Sequence, residues 1–583
     1  MSKFIKICVF FLFITTSIFA QVALDPNDVF YQDVAIWEAL GIISEVPSLR
    51  PYPLAVVRSL LEQASTCDDP TIQEKVAYYQ NKIFSKAVNV GLSAHDYFKS
   101  SQEATANQLL GSGFVFGDFN LFPKLSLSYK FNIVAATEAP TFMLPTYKKY
   151  SFDTVDDPIE IGPIDVNIDM NANFAYGTES VYVQAGLNRN SFGPFAFSNI
   201  VISEETFHMP GVSFVINKEK WAFVQSLFSL GATSNAYGVY NSRRKPDKYL
   251  TMHSFEFRPF KNFSFTYYET IVYGNRFDFS YLLPVPYMAV QGVGGFDDNL
   301  QMGLNFKWKI AKGLVWAGDL FVDDLNMNSM IKFDFDTRMK FAAKTGIQFA
   351  PTNTIFDILT LDYTLVMPYM FTHSQYVLPD NAKSQILLTG SGLNFQNYTT
   401  NGMPIGCQLA PNSDGLSLTV KLQPFNKVHL SYMTNYFRHG NVNESISLEE
   451  AKMYLYAGKK EFVTDGSIFD YPDAGYGYLE SADEKLNFLT QKHIMHIWQT
   501  GFDLSYELNL KKAGTLYFTL GYVFEYIKNY GVDSNIFIGG SYSDYSSYEA
   551  IPDEAVENAL KEWRSQLRDV VHNYISFSIK YTY

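Results

Sequence analysis

The sequence predicts an all-β fold, a transmembrane antiparallel β-barrel of about 18 strands behind a small N-terminal helical segment. Three observations predict it. The closing stretch His572–Tyr583, HNYISFSIKYTY, alternates strictly, so Ile575, Phe577, Ile579, Tyr581 and Tyr583 share one face of a strand. The opening stretch reads as a secretory leader, and no run long and apolar enough for a spanning helix follows it. Between the two ends, tight turns alternate with much longer connections, which is the pattern of short periplasmic turns and long external loops.

Chain termini usually fray, so an ordered strand tipped by an aromatic residue is informative. It resembles the closing strand of bacterial outer-membrane barrels, which implies that Phe577 and Tyr583 are read by the barrel-assembly machinery. At the other end Lys3 and Lys6 precede an apolar run from Ile7 to Ile14, then Thr15, Thr16 and Ser17, with cleavage expected after Ala20. Ile18 fits the small-x-small rule loosely, and Cys8 lies inside the apolar run, which argues against a lipoprotein. The expected organisation is a leader over 1–20, a periplasmic helical segment over 21–86 and an outer-membrane barrel over 87–583, with both termini periplasmic.

Aromatic residues are 16% of the chain, 50 Phe and 40 Tyr, enough for a girdle at each membrane interface. Mean hydropathy is only -0.07, as lumen-facing polar residues offset lipid-facing apolar ones. The net charge of -14 excludes nucleic acid, whose binding needs a basic footprint. Beyond the leader, Cys67 and Cys407 are too few and too far apart for a disulfide framework.

Over residues 21 to about 85 the apolar spacing is three and four: Val34, Trp37, Leu40, then Val56, Leu60, Leu61. Two or three short helices are expected, broken at Gly41 and Pro47 to Pro53, as a cap with its own packing. From about 89 the period becomes two. Strands are expected over 89–100, 110–122, 124–136, 164–176, 180–191, 209–217, 219–231, 248–259 and 262–274. They continue over 299–310, 313–324, 340–350, 355–368, 416–424, 428–437, 499–510, 514–527 and 572–583. The turns at Pro123-Lys124, Thr178-Glu179, Lys261-Asn262, Lys312-Gly313, Pro351 to Thr354, Phe425 to Lys427 and Lys511 to Gly514 then share one end of the barrel. Every long connection falls at the other. Two of these connections carry helical spacing: 447–458, opened by the capping-box pair Ser447 and Glu450, and 551–571, opened by Pro552 and Asp553.

The stretch GLNRNSFGPFAFSNIVISEETFHMPGVSF (186–214) resembles the capsule assembly Wzi family, with Gly186, Gly193, Pro194, Ser203, Pro210 and Gly211 in the family's order. HSFEFRPFKNFSFTYYETIVYG (253–274) and the segment 279–326 are similar to the hairpins that follow there, and Trp37 to Ile43 with Pro47 to Leu61 to its N-terminal helices. The resemblance covers roughly residues 30–330. It departs at Phe192, where the family often has Trp, and at Phe195, where Gly is usual. It implies a barrel of about 18 strands with a periplasmic helical bundle, and a role in holding surface polysaccharide.

No catalytic constellation stands out, so no enzyme, cofactor or metal site is expected. His493 and His496 have no carboxylate or Cys at ligand spacing and read as loop histidines. Asp297-Asp298 and Asp323-Asp324 read as external strand ends, solvated or bridged to lipopolysaccharide through divalent ions. Arg243, Arg244 and Lys245 form a basic cluster, either solvated or meeting lipid phosphate, or an anchor for an anionic glycan. Tyr471, Tyr476 and Tyr478, with Tyr542, Tyr545 and Tyr548, are either aromatic faces for sugars among small polar residues or an adaptable surface of another kind. The expected function is therefore a monomeric, non-catalytic outer-membrane barrel that attaches or organises capsular or exopolysaccharide through external loops, with membrane lipid as its other partner. The alternative is a porin or substrate-specific channel, because a barrel of this size can enclose water.

Overall fold

The computed structural model describes residues 25–583 apart from 85–87, 103, 140, 151, 154–157, 235–246, 275, 296–297, 325–330, 333–338, 353, 374–392, 395, 426, 442–443, 445–446, 457–460, 463–487, 535, 538–541 and 543–544. The expected leader lies outside the described residues.

Eighteen antiparallel strands close into one barrel. The first nine are β1 (Asn89–Ser101), β2 (Thr105–Phe122), β3 (Leu125–Thr137), β4 (Ile164–Gly177), β5 (Val181–Asn188), β6 (Met209–Asn217), β7 (Trp221–Ser229), β8 (Lys248–Phe260) and β9 (Phe263–Gly274). The rest are β10 (Asn299–Ala311), β11 (Leu314–Asp324), β12 (Lys340–Phe349), β13 (Phe356–Val366), β14 (Ser413–Phe425), β15 (Val428–His439), β16 (Met495–Asn509), β17 (Thr515–Tyr530) and β18 (Arg568–Thr582). The C-terminal strand β18 closes the barrel on β1, from Gly91 opposite Thr582 to Ser101 opposite His572. Every expected strand forms. The largest boundary error is at β2, which starts at Thr105 because Ala106, Gln108 and Leu110 already alternate inward there.

Alternation puts apolar residues outward and polar ones into the lumen. On β4, Ile168, Met170, Phe174 and Tyr176 are exposed, while Asn167, Asp169, Asn171 and Asn173 are buried. Outward aromatics gather in two bands. Phe122, Trp221, Phe260, Trp308 and Phe425 lie beside the tight turns, and Tyr363, Tyr436, Trp498 and Tyr526 lie toward the long connections. Trp498 and Tyr506 mark both bands on β16. At about 3.3 Å per residue and a tilt of about 40° they stand roughly 20 Å apart along the axis, close to the apolar height of such barrels.

Three N-terminal helices, α1 (Val29–Ala39), α2 (Leu54–Ser65) and α3 (Pro70–Phe84), form where expected. Asp28 starts α1 by accepting the Phe30 N–H at 2.9 Å. Their packing corrects the expectation of a self-contained cap. Phe30, Trp37, Leu60 and Val76 belong to one cluster with Tyr182, Phe192, Val215 and Tyr398 of the barrel and its lumen. Polar contacts follow the same route: Lys307 Nζ reaches Glu38 at 2.9 Å, Gln348 Nε2 donates to the Ala35 carbonyl at 3.2 Å, and Gly313 N–H donates to the Ala39 carbonyl at 2.9 Å. Lys75 joins Asp33 at 2.6 Å and Asp357 of β13 at 3.6 Å. All four anchors sit beside tight turns, so the helices fill that mouth of the barrel.

A short helix not read from the sequence, α4 (Tyr287–Gly294), precedes β10; Gly292 and Gly294 leave it little periodic signal. The two loop helices, α5 (Leu448–Tyr456) and α6 (Asp553–Gln566), form as expected. They fold over the opposite mouth, where Val556, Leu560 and Trp563 pack with Ile497, Ile527 and Val570 of β16 to β18.

Candidate functional site

The lumen between these two plugs is occupied by chain. After β5 the segment 189–208 turns inward instead of outward. Its Ser191 and Phe192 pair with Leu49 and Arg50, and the Arg50 guanidinium donates to the carbonyls of Phe195 and Ala196. It then reaches the far wall: Lys344 Nζ of β12 donates to the Ser198 carbonyl at 3.0 Å and lies 4.8 Å from the Phe195 ring, and Lys421 of β14 lies 4.9 Å from the Phe197 ring. A second segment, 396–412, crosses from the β13–β14 side. Tyr398 donates to the Val201 carbonyl at 3.0 Å, the Ser203 N–H donates to the Ile405 carbonyl at 2.9 Å, and Lys248 of β8 holds Asn397 and the Thr399 carbonyl at 2.7 Å each. A cavity of about 40 Å³ remains between α1, Arg50 and Pro194, room for a water or two.

The family-motif residues build this crossing. Gly186 stands opposite Gly211 in the β5–β6 ladder, and a side chain at 186 would meet the Ala172 carbonyl at 2.1 Å. Gly193 takes φ +147 against Asn199, whose Oδ1 accepts the Phe195 N–H at 3.1 Å. Pro194 lines the cavity beside Arg50, Ser203 is buried against Ile405, and Pro210 lies opposite Leu187 at the start of β6.

At the loop end, Arg243, Arg244, Lys245, Tyr471, Tyr476 and Tyr478 lie outside the described residues. Tyr542 and Tyr545 are brought together: their rings stack at 6.0 Å and 21°, with Tyr542 leaning on the helix cluster and Tyr545 exposed. Tyr548 follows, its hydroxyl 3.5 Å from Glu449 of α5. Phe577 and Tyr583 face outward on and just after β18, both largely exposed.

One residue of each acidic pair needs correction, Asp298 and Asp323; Asp297 and the Asp324 side chain lie outside the described residues. Asp298 is buried, not solvated, and takes a fork from Arg276 and a 2.6 Å hydrogen bond from Tyr281. Asp323 accepts from Gln301 Nε2 at 3.1 Å and from the Phe371 N–H at 3.0 Å, so it holds a turn in the lumen. His493 and His496 do not share a site: His493 meets Glu444, while His496 stacks on Tyr436 and Trp498 outside the wall. Sequence reading missed the buried polar anchors of the lumen, among them Glu525, which accepts from Thr146 N–H at 2.9 Å and Gln499 Nε2 at 2.7 Å. A carboxylate between inward-facing Val523 and Ile527 neighbours was the available signal.

A closed barrel with an outward apolar band between two aromatic girdles defines the class: this is a β-barrel of the outer-membrane type. Among solved structures the chain is similar to Wzi of Escherichia coli, an outer-membrane protein involved in group 1 capsule assembly and a carbohydrate-binding β-barrel. That likeness covers 96% of this chain and 99% of that one, with a TM-score of 0.50 and 11% identity, so it is one of fold. The match agrees with the family resemblance of residues 30–330. Weaker similarity reaches Pseudomonas aeruginosa OprD (TM-score 0.40, 9% identity, 85% of this chain and 93% of that) and OpdL (TM-score 0.39, 8% identity, 85% and 98%). No family model matches the chain, and no curated protein sequence does.

Proposed function

We propose that this protein is a non-catalytic, monomeric outer-membrane barrel that retains surface polysaccharide at the cell exterior. In this reading the tight turns, the helices α1 to α3 and the chain ends are periplasmic, the long connections are external, and Phe577 and Tyr583 engage the assembly machinery. One observation carries it: segments 189–208 and 396–412 cross the lumen and bond to its far wall and to each other, which favours the outer surface over a pore as the part that acts. The stacked Tyr542 and Tyr545 supply flat faces of the kind that sugars cover. The likeness in fold to a carbohydrate-binding barrel supports the same reading.

The test is the partition of polysaccharide between cells and medium in a strain carrying Y542A/Y545A in place of the native protein, with barrel level checked on heat-modifiable gels. Polysaccharide shed to the medium is the expected result. Full retention by a deletion of the whole protein contradicts the reading.

A further inference from the structure

Asp153, Asp169 and His208 come from three separate stretches: the β3–β4 connection, the lumen face of β4 and the end of the crossing segment. Their ligand atoms lie within 4.8 Å of one another. His208 Nδ1 stands 2.8 Å from Asp153 Oδ2 and 3.4 Å from Asp169 Oδ1. Asp153 is already oriented, its Oδ1 by Arg189 at 2.7 Å and its Oδ2 by the His208 backbone N–H at 2.8 Å.

One imidazole proton serves one carboxylate. Asp169 is 5% exposed, yet its Oδ1 accepts no hydrogen bond. Asn171, the next lumen-facing residue on β4, is equally buried and its Oδ1 is also without a donor, although its Nδ2 lies 3.4 Å from His208 Nε2. Buried oxygens are seldom left this way. The Asp169 oxygen gains a partner if the nitrogen between the carboxylates carries a cation in place of its proton. His208 Nε2 then bears the hydrogen, and the Asn171 amide, turned about its last bond, accepts it. That is the usual second partner of a ligating histidine.

We propose that Asp153, Asp169 and His208 bind one divalent cation, Zn²⁺ or another ion of the borderline class, with water completing the set. Imidazole beside two carboxylates favours these ions over Ca²⁺ or Mg²⁺. The Nδ1 proton of the neutral ring is lost as Nε2 gains one, a change of tautomer with no net release, whereas a ring protonated on both nitrogens must first give one proton to solvent, so binding weakens as pH falls. It staples an external connection and the crossing segment to the barrel wall.

The test uses the full-length protein in detergent, freed of metal with EDTA and titrated calorimetrically with ZnCl₂. One Zn²⁺ per chain, tighter binding at about pH 7 than at about pH 5 and a raised Tm are expected. H208A and the isosteric D169N should each weaken binding by about 10-fold or more. H493A/H496A should leave it unchanged. If H208A does not fold on heat-modifiable gels, D169N alone decides. Metal-free protein that takes up no Zn²⁺, or uptake unchanged in folded D169N, overturns the proposal.

Discussion

Lys344 on β12 donates to the carbonyl of Ser198 at 3.0 Å, across the lumen from the β5 end where the Ser198 segment leaves the wall. The ammonium is 3% exposed and also pairs with Asp362 at 3.1 Å. A buried cation of this kind has to be fully partnered, so the segment and the far wall depend on each other. K344A should cost about 2 kcal/mol, since it leaves a partly buried carboxylate and a lumen carbonyl without their donor. The midpoint of urea unfolding in detergent checks it; an unchanged midpoint would mean that the crossing segment is held elsewhere.

The helices at the tight-turn mouth should dock in a defined pH window. Burial raises the Glu38 carboxyl, but the Lys307 charge and hydrogen bond outweigh it and hold the group below its ordinary value. Stability from a lowered carboxyl is present above its unfolded pKa and is lost as pH falls through the folded one. Lys75 runs the other way: burial lowers it, Asp33 and Asp357 raise it further, and its contribution disappears as pH climbs through the raised value. Docking should therefore be firmest between about pH 5 and pH 10. Limited proteolysis of residues 25–84 against pH reads this, and E38Q should flatten the acid limb at a cost of about 1 kcal/mol at neutral pH.

The two cysteines should differ in reactivity. Cys407 lies in the second crossing segment, where burial pushes its thiol up to about 11. Its thiolate fraction near neutrality falls about 100-fold below that of a free cysteine, and closed packing slows it further. Cys67, after α2, is half-buried. Maleimide should label Cys67 first and Cys407 only on unfolding, by mass spectrometry; fast labelling of Cys407 in the folded barrel would contradict the packing of residues 396–412.

Gly193 should tolerate no side chain. At φ +147, with Asn199 Oδ1 2.2 Å from the place of a Cβ, G193A should cost about 1–3 kcal/mol, and G193V more. Heat-modifiability reads the loss.

Barrel legibility followed from local rules. Strict alternation in β18 and tight turns such as Lys312-Gly313 fix strand and face within a few residues, because lipid demands apolar side chains at every second place. Where a connection goes is a different matter. Segment 189–208 has the length and polarity of an external loop, yet Arg50, Lys344 and Lys421, none near it in sequence, draw it into the lumen. Likewise Asp153, Asp169 and His208 have no ligand spacing, since a connection, a strand and the crossing segment bring them together. Interactions between distant segments leave no periodicity to read.

The account rests on a lumen filled by its own chain, and single-channel recording in a planar bilayer tests that most directly. Folded wild-type protein should give no stable steps, whereas a variant with short Gly-Ser turns in place of 190–206 and 396–411 should conduct. Large, steady steps from the wild-type barrel would contradict it and make the protein a channel.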